Sequence, residues 1–218
     1  MKNIHAVLFD MDGLLIDSES RNMHCAQLAA QELGFTLDIP TLARAVCGVR
    51  REFAVQTYAA VLPDWVDAEA FYERKRQLLN ESLQKKKAGS MKGARELLEW
   101  LNVHGITCVL ATATKREEAE CRLRDLGLWD YLPHQITGGD VSQSKPHPET
   151  YLKAAAAAGA APENCLVLED SFNGIRSGRA AGAVVGMVPD TLPYDNLCQP
   201  YCDVVFNDLT EVIGWLQS

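Results

Sequence analysis

The stretch that decides the fold is HAVLFDMDGLLIDSES, residues 5–20. Ala6 to Phe9 is an apolar run with β-branched and aromatic members, which is typical of a strand buried inside a parallel sheet. Asp10 and Asp12 follow it, and side chains two apart in an extended backbone point to the same side. Ligands of open α/β sheets bind at the carboxyl ends of strands, so two acids there indicate a functional site. Asp and Gly also favour ordinary turns, so this stretch alone leaves a turn without chemistry open.

Length, charge and cysteine content exclude several classes of protein. The 218 residues suit one large domain or a core with a smaller insertion. The net charge of −8 argues against nucleic acid or an anionic membrane as a partner. The first apolar run is too short for a secretory signal, and no stretch approaches membrane-spanning length. Seven cysteines without a CxxC motif are typical of reduced thiols, and we therefore expect a cytoplasmic protein.

The segment after the first strand carries helical patterns and few strand signals. Three helical regions are predicted there, over residues 18–33, 42–62 and 67–86. Ser18 is available as an N-cap for the first region, and the second is expected to break near Gly48. We therefore expect a helical cap domain at 17–88, inserted into a core domain formed by residues 1–16 and 89–218.

Helices and strands alternate in the rest of the chain. Strands are predicted at residues 106–111, 165–168, 183–188 and 204–206. Helices are predicted at residues 94–103, 115–126, 148–158, 172–181 and 208–216. Such alternation favours a parallel sheet with helices on both faces. The predicted fold class is α/β, with a Rossmann-like parallel-sheet core and an inserted small α-helical cap domain.

Polar side chains also follow later strands of the predicted sheet. Thr112 ends one strand, Glu169 and Asp170 end another, and Lys145 lies in the loop SKPHPE. In a parallel sheet these residues share one edge with the two acids of the first strand. Four acids with one lysine repel one another unless a cation binds or a carboxyl is protonated. An oxygen-rich site of this kind suits Mg²⁺, which keeps several waters and leaves room for a phosphate.

The same set of groups is suited to phosphoryl transfer. A carboxylate can attack phosphorus and form an acyl phosphate, which divides one difficult step into two. A metal ion and a lysine neutralise charge on the transferring phosphoryl group. A second acid can protonate the leaving oxygen and later accept a proton from water. We therefore expect a metal-assisted enzyme at this edge of the sheet.

Four motifs resemble those of the haloacid-dehalogenase (HAD) superfamily of aspartyl-phosphate hydrolases. They are, in chain order, FDMDGLLIDSE, VLATATK, SKPHPETY and VLEDSFNGI. The resemblance covers nearly the whole chain. It is strongest to the subgroup with a small helical cap, which contains β-phosphoglucomutase and many sugar-phosphate and pseudouridine-phosphate phosphatases. A single DxDG motif is a weak signal, whereas four motifs with fitting spacing are a specific one.

The resemblance implies a role for each motif residue. It makes Asp10 the nucleophile and Asp12 the general acid and base. Thr112 and the backbone of Ala113 would hold the phosphoryl oxygens, and Lys145 would tie the phosphate to Asp10. Taken singly, Thr112 would be a strand-end hydroxyl and Lys145 a surface lysine.

The resemblance also implies a magnesium site. Mg²⁺ would be bound by Asp10, the Asp12 carbonyl and Asp170. Glu169 would bind the metal directly or would lie behind the residues that bind it. Taken singly, the Glu169–Asp170 pair would be acids favoured by the dipole at a helix start.

Substrate selection is expected in the cap and in the loop after Asp12. The stretch GVRRE resembles a segment that approaches the substrate in cap-bearing relatives, so Arg51 and Arg50 could bind a distal polar or anionic group. Solvated arginines at a helix start are the alternative. The remaining candidates of this kind are Glu19, Asn22 and Lys75.

Three functions are compatible with these residues. The first is a Mg²⁺-dependent phosphatase, monomeric and acting on a small phosphorylated metabolite such as a sugar phosphate or a nucleoside or pseudouridine monophosphate. The second is a phosphosugar mutase, which must keep water from the aspartyl phosphate. The third is a signalling receiver domain, which also has an acidic pair, a phospho-accepting Asp and a Lys. Such domains are about half this length and their phosphorylated Asp ends a later strand, so this reading is disfavoured.

Overall fold

The core of the protein is a six-stranded sheet, seen in a computed structural model that describes residues 3–85 and 87–218. Its strands are β1 (Ala6–Phe9), β2 (Thr107–Ala111), β3 (His134–Ile136), β4 (Cys165–Glu169), β5 (Val184–Met187) and β6 (Val204–Val205). Their order in the sheet is β3-β2-β1-β4-β5-β6, and every neighbouring pair is parallel. The predicted α/β class with a Rossmann-like parallel sheet is confirmed.

Nine α-helices occur in the described part of the chain. They are α1 (Glu19–Glu32), α2 (Ile39–Val46), α3 (Arg51–Val61), α4 (Ala68–Lys85), α5 (Ala94–Val103), α6 (Arg116–Asp125), α7 (Glu149–Ala157), α8 (Phe172–Ala180) and α9 (Thr210–Gln217). None of these helices has the length and apolar character needed to cross a bilayer.

Helices cover both faces of the sheet, which explains the uninterrupted apolar pattern of β1. Val7 and Phe9 point into one core, which contains buried residues of α5, α6 and α9. Ala6 and Leu8 point into the opposite core, which contains buried residues of α7 and α8. All four side chains are fully buried. Both faces of the strand are therefore buried, and polar side chains can be placed only where the strand ends.

The segment between β1 and α5 consists of α1 to α4, which enclose a third hydrophobic core around Met23, Tyr58 and Phe71. Four helices form where three helical regions were predicted, because the chain breaks at Gly48 between α2 and α3. Gly48 has φ +76°, a backbone conformation that glycine adopts without strain. Lys86, the predicted end of the third region, lies outside the described residues. The domain limits 1–16, 17–88 and 89–218 stay a prediction.

The chain crosses between this helical segment and the sheet twice, and the two crossings pair with each other. Ile16 forms an isolated antiparallel bridge with Ser90. The Asp17 amide donates to the Gly89 carbonyl at 3.0 Å, and the Met91 amide donates to the Leu15 carbonyl at 3.0 Å. The two connections therefore lie side by side.

Candidate active site

The carboxyl ends of β1 and β4 bring three acids together. Asp10 follows β1, Glu169 is the last residue of β4, and Asp170 follows it. β1 pairs directly with β4, so these strand ends are adjacent. All three side chains are buried. The strand was predicted to end before Glu169, whereas the structure includes it in β4.

Lys145 balances this buried negative charge. Its Nζ donates to Asp10 Oδ1 at 2.6 Å and to Glu169 Oε1 at 2.6 Å. It also lies 2.9 Å from the Ala111 carbonyl oxygen and 3.0 Å from Tyr151 Oη. Burial opposes the charged lysine, but Asp10 and Glu169 outweigh it and raise the pKa of Lys145. Such a buried ion is stable only where its partners satisfy it, as they do here.

Glu169 is held by hydrogen bonds on both carboxylate oxygens. Oε1 accepts from Lys145 and, at 2.6 Å, from Tyr151 Oη. Oε2 accepts from the Ser171 amide at 3.2 Å and from Ser171 Oγ at 2.9 Å. Gly174 makes room for the group, because a Cβ there would lie 1.8 Å from the Glu169 carboxylate. Glu169 is therefore fixed in place, with its hydrogen-bonding capacity largely used.

Asp170 differs from Glu169 because one of its oxygens has no partner. Oδ1 is buried and accepts no hydrogen bond from the residues that the structure describes. Burial first, and then Glu169 and Asp10, raise the pKa of Asp170 well above its ordinary value. Burial likewise raises the pKa of Asp10 to about 8, although Lys145 opposes the shift. Gly13, with φ +82°, passes so close that a Cβ would lie 2.2 Å from Asp170 Oδ2.

These three carboxylates can hold a metal ion. One oxygen from each of Asp10, Glu169 and Asp170 lies within 4.8 Å of the others. Buried like charges repel one another, and a buried carboxylate oxygen without a partner is costly. A hard divalent cation with oxygen ligands would offset the repulsion between the carboxylates and would give the unpaired oxygen a partner.

Asp12 lies beside this cluster and is held by three donors. Ser18 Oγ donates to its Oδ1 at 2.6 Å, Arg122 Nη1 donates to the same oxygen at 3.0 Å, and Thr114 Oγ1 donates to Oδ2 at 2.8 Å. Ser18 was predicted to cap α1, but its side chain makes no capping bond because it turns to Asp12. Sequence patterns gave no signal for Arg122, which comes from the middle of α6.

Thr112 and Ala113 follow β2 and line a cavity together with Asp10 and Asp12. Thr112 is buried, and its Oγ1 accepts a hydrogen bond from the Thr114 amide at 3.1 Å. The structure therefore brings the predicted phosphate-binding residues next to the two predicted catalytic acids.

The cavity has a volume of about 470 Å³ and is closed on its far side by α1, α3 and α4. This size is within the range of small-molecule sites. Its wall contains all three of the weaker candidates from the sequence: Glu19, Asn22 and Lys75.

The two arginines proposed for substrate binding take different positions. Arg51 lines the cavity, but its guanidinium is paired with Glu69 and, at 3.1 Å, with Glu73. Arg50 turns away to the sheet side, where it donates to the Val141 carbonyl at 2.9 Å and to the Ser142 carbonyl at 2.7 Å. The Arg50 side chain thus joins the helical segment to a core loop, and its contact with the substrate stays a prediction.

Comparisons with known proteins identify the family of the chain. A family model described as haloacid dehalogenase-like hydrolase matches residues 4–182. The phosphorylated carbohydrates phosphatase of Thermotoga maritima is 32% identical over 82% of this chain and 82% of its own length. The validoxylamine A 7′-phosphate phosphatase of Streptomyces hygroscopicus is 32% identical over 94% of both chains. A β-phosphoglucomutase structure from Clostridium difficile covers 98% of this chain and 96% of its own, with TM-score 0.78 and 20% identity, which shows a shared fold.

The match to the family model spans most of the chain, including the strand ends that carry the buried acids and the loop that carries Lys145. Relatives that align over most of their own length are named as phosphatases. The chain therefore belongs to the haloacid dehalogenase-like hydrolases and is a phosphoric monoester hydrolase.

Proposed function

We propose that the protein hydrolyses a small phosphorylated metabolite, either a sugar phosphate or a nucleoside or pseudouridine monophosphate, through an aspartyl phosphate. The proposal rests on one observation above all. Asp10 is a buried carboxylate at the end of a central strand, with Lys145 Nζ 2.6 Å from its Oδ1 and the cavity in front of it.

In the first step Asp10 attacks phosphorus and forms a new P–O bond, while the P–O bond to the leaving group breaks. Asp12 in its protonated form gives its proton to the leaving oxygen, which departs as an alcohol. Lys145 and the backbone beyond Thr112 stabilise the charge of the phosphoryl oxygens. Ser18 and Thr114, which donate to Asp12, keep its carboxyl oriented toward the cavity.

In the second step water attacks the phosphorus of the aspartyl phosphate. Asp12, now a carboxylate, accepts the proton of this water, and the bond between phosphorus and Asp10 breaks. Inorganic phosphate and the free Asp10 carboxylate result, so the site returns to its starting state. Arg122 Nη1 donates to Asp12 Oδ1 at 3.0 Å and holds this carboxylate in place while it accepts the proton.

Magnesium is the cofactor that the donor set fits. We propose that Asp10, Asp170 and the Asp12 carbonyl hold it, while Glu169 stays behind them, because both Glu169 oxygens are already occupied by hydrogen bonds. The strongest support for a bound cation is the buried Asp170 Oδ1, which accepts no hydrogen bond from the part of the chain that the structure describes. When bound, Mg²⁺ would neutralise charge on the transferring phosphoryl group.

Hydrolysis is favoured over a mutase reaction because relatives that align over most of the chain are named as phosphatases. We further propose a monomeric enzyme whose partner is the small substrate, with neither nucleic acid nor membrane involved. Free thiols at all seven cysteines support a cytoplasmic location.

The test is phosphate release from a panel of phosphorylated sugars, polyols and nucleosides, with Mg²⁺ and with EDTA. We expect release in Mg²⁺, its loss in EDTA, and a reduction of at least about 1000-fold in Asp10→Asn, because the amide cannot act as the nucleophile. Asp64→Asn changes an exposed Asp and is the matched control, with unchanged release expected.

Two outcomes would contradict the proposal. If Asp10→Asn released phosphate as fast as the Asp64→Asn control, the nucleophile would be another group. If a rearranged sugar phosphate accumulated without stoichiometric inorganic phosphate, the enzyme would be a mutase.

A further inference from the structure

The hydroxyl group of Tyr151 lies between the buried lysine and one of the buried acids. Tyr151 belongs to α7, and its side chain is fully buried in the core that contains residues of α7 and α8. Its Oη donates to Glu169 Oε1 at 2.6 Å and accepts from Lys145 Nζ at 3.0 Å. The directions of these two bonds follow from the lysine, because an ammonium group can only donate. The hydroxyl therefore connects the two charged groups.

Lys145 has more acceptors around it than it has protons. An ammonium group has three N–H bonds. In the described part of the chain, four oxygens lie within 3.0 Å of Lys145 Nζ: Asp10 Oδ1, the Ala111 carbonyl oxygen, Tyr151 Oη and Glu169 Oε1. No N–H bond is left over for a phosphoryl oxygen. Lys145 can therefore bind the phosphoryl group only by turning one N–H bond away from a present acceptor.

Glu169 Oε1 can lose its bond to Lys145 at low cost, because the Tyr151 hydroxyl also donates to it. Among the described residues these two are the donors to Oε1, and both bonds measure 2.6 Å. The two donors from Ser171 bond to Oε2 and leave Oε1 unaffected. Without the tyrosine hydroxyl, Oε1 would become a buried carboxylate oxygen with no donor, which is costly.

The ring and the hydroxyl of Tyr151 have separate tasks. The ring fills space in the core, and a phenylalanine ring would fill the same space. The described residues that line the cavity do not include Tyr151, so the hydroxyl acts on the reaction through Lys145 and Glu169 and not by touching the substrate. The effect of the hydroxyl can thus be measured without disturbing the packing.

We propose that Tyr151 is a positioning residue for Lys145. Its hydroxyl keeps Glu169 Oε1 paired while Lys145 turns from that oxygen to the transferring phosphoryl group. The benefit is greatest in the transition state, where the lysine is needed most. The inference rests on the proposed phosphatase function, in which Lys145 stabilises the phosphoryl oxygens. It adds a residue outside the cavity to those that set the rate.

Tyr151→Phe removes the hydroxyl and keeps the ring. We expect kcat for the best substrate of the panel to fall about five- to fiftyfold and KM to stay within about twofold, because the lost bond matters chiefly in the transition state. Tyr131→Phe is the matched control. It also removes a bond from a tyrosine hydroxyl to a carboxylate, that of Glu99 at 3.0 Å, but outside the cavity, and kcat should be unchanged.

A double variant separates positioning from a merely structural role. In Glu169→Gln the neutral amide holds Lys145 more weakly than the carboxylate does, so its release costs little with or without the tyrosine hydroxyl. We therefore expect Tyr151→Phe to lower kcat by less than about twofold in the Glu169→Gln background. The same fold-change in both backgrounds would show that the hydroxyl acts independently of Glu169 and would overturn the proposal.

The outcomes also separate this inference from the function on which it rests. If the wild type releases phosphate and Tyr151→Phe keeps the wild-type kcat, or loses activity through KM alone, the phosphatase stands and the positioning role is wrong. These criteria need only the single variant, so they decide the question even if Glu169→Gln does not fold. If the wild type releases no phosphate from the panel or from p-nitrophenyl phosphate, the proposed function has failed and the inference fails with it.

Discussion

At the scale of single residues, the site depends on glycines that make room for carboxylates. Gly13 and Gly174 each have an acid so close that no β-carbon fits beside it. At Gly174, in α8, a Cβ would meet Glu169. The two carboxylate oxygens of Glu169 accept four hydrogen bonds and therefore cannot shift. The acids can be buried and fixed because the backbone next to them has no side chain.

Gly174→Ala should therefore destabilise the protein despite the helical preference of alanine. We expect the free energy of unfolding in urea to fall by about 1–3 kcal/mol, with a parallel loss of phosphate release, because the new methyl displaces Glu169. Gly214→Ala is the matched control on α9, where a Cβ meets nothing within 4 Å. This variant should gain about 0.5–1 kcal/mol from helix propensity. Equal stability of the two variants would show that Glu169 is free to move.

The residues at strand ends could be predicted from sequence, whereas their supporting contacts could not. Asp10 and Asp170 each follow an apolar run within a few residues, so a local pattern locates them. Arg122, which contacts Asp12, is 110 residues away from it along the chain. The sequence position of Ser18 predicted a helix cap, but the half-buried Asp12 carboxylate offers its hydroxyl a charged acceptor, which is the stronger partner.

At the scale of elements, the loop before α7 sets the position of Lys145. Glu149, at the start of α7, accepts from the Ser142 amide at 3.0 Å, Ser142 Oγ at 2.7 Å and the Gln143 amide at 2.8 Å. Lys153 on the next turn donates to the same carboxylate at 2.7 Å. The half-buried Glu149 therefore joins the helix to the loop that carries the buried Lys145.

This arrangement predicts a dependence of stability on pH. Hydrogen bonds from Lys153, Ser142 and Gln143 hold the pKa of Glu149 below its ordinary range. A lowered pKa in the folded state stabilises the protein above the unfolded value of about 4.3, and this contribution is lost as the pH falls further. The wild type should thus exceed Glu149→Gln in free energy of unfolding at pH 7, and the difference should shrink below about pH 4.

Urea unfolding between pH 3 and pH 7 measures that difference directly. Glu163→Gln serves as the control at an exposed acid, and its difference from wild type should stay small throughout. A difference for Glu149→Gln that does not change with pH would mean that the carboxylate charge has no part in holding the loop.

At the scale of the whole molecule, the cavity is formed by elements that are far apart in sequence. The sheet contributes the acids, and α1, α3 and α4 contribute the opposite wall. Local patterns predicted these helices, but the faces that they turn to the cavity depend on packing in the third core. This is why the sequence suggested Arg50 together with Arg51, although Arg51 lines the cavity and Arg50 bonds to a core loop.

The metal site should affect the stability of the whole chain. Mg²⁺ that binds the folded state alone at a hundred times its Kd stabilises by about 2.7 kcal/mol, and a chain of this length gains about 2–4 °C in Tm per kcal/mol. We therefore expect Mg²⁺ to raise Tm by several degrees. Asp170→Asn should raise Tm without metal, because it removes a buried charge, and should abolish the response to Mg²⁺.

Thermal unfolding with Mg²⁺ and with EDTA makes the comparison, and Asp64→Asn is expected to respond as the wild type does. A full Mg²⁺ response in Asp170→Asn would place the ion elsewhere.

The paired crossings near Ile16 and Ser90 limit how the helical segment can move. Two separate connections would permit the helical segment to slide and twist against the sheet. Two connections that are hydrogen-bonded side by side act as one flexible strip. We therefore expect any displacement of the helices to be a rotation about an axis that runs through this strip. Contacts outside this strip also join the helical segment to the core, among them those from Arg50 to the Val141 carbonyl and from Asn173 Nδ2 to the Cys47 carbonyl, and we expect such a rotation to break them. We expect the width of the cavity to change mainly through this one rotation.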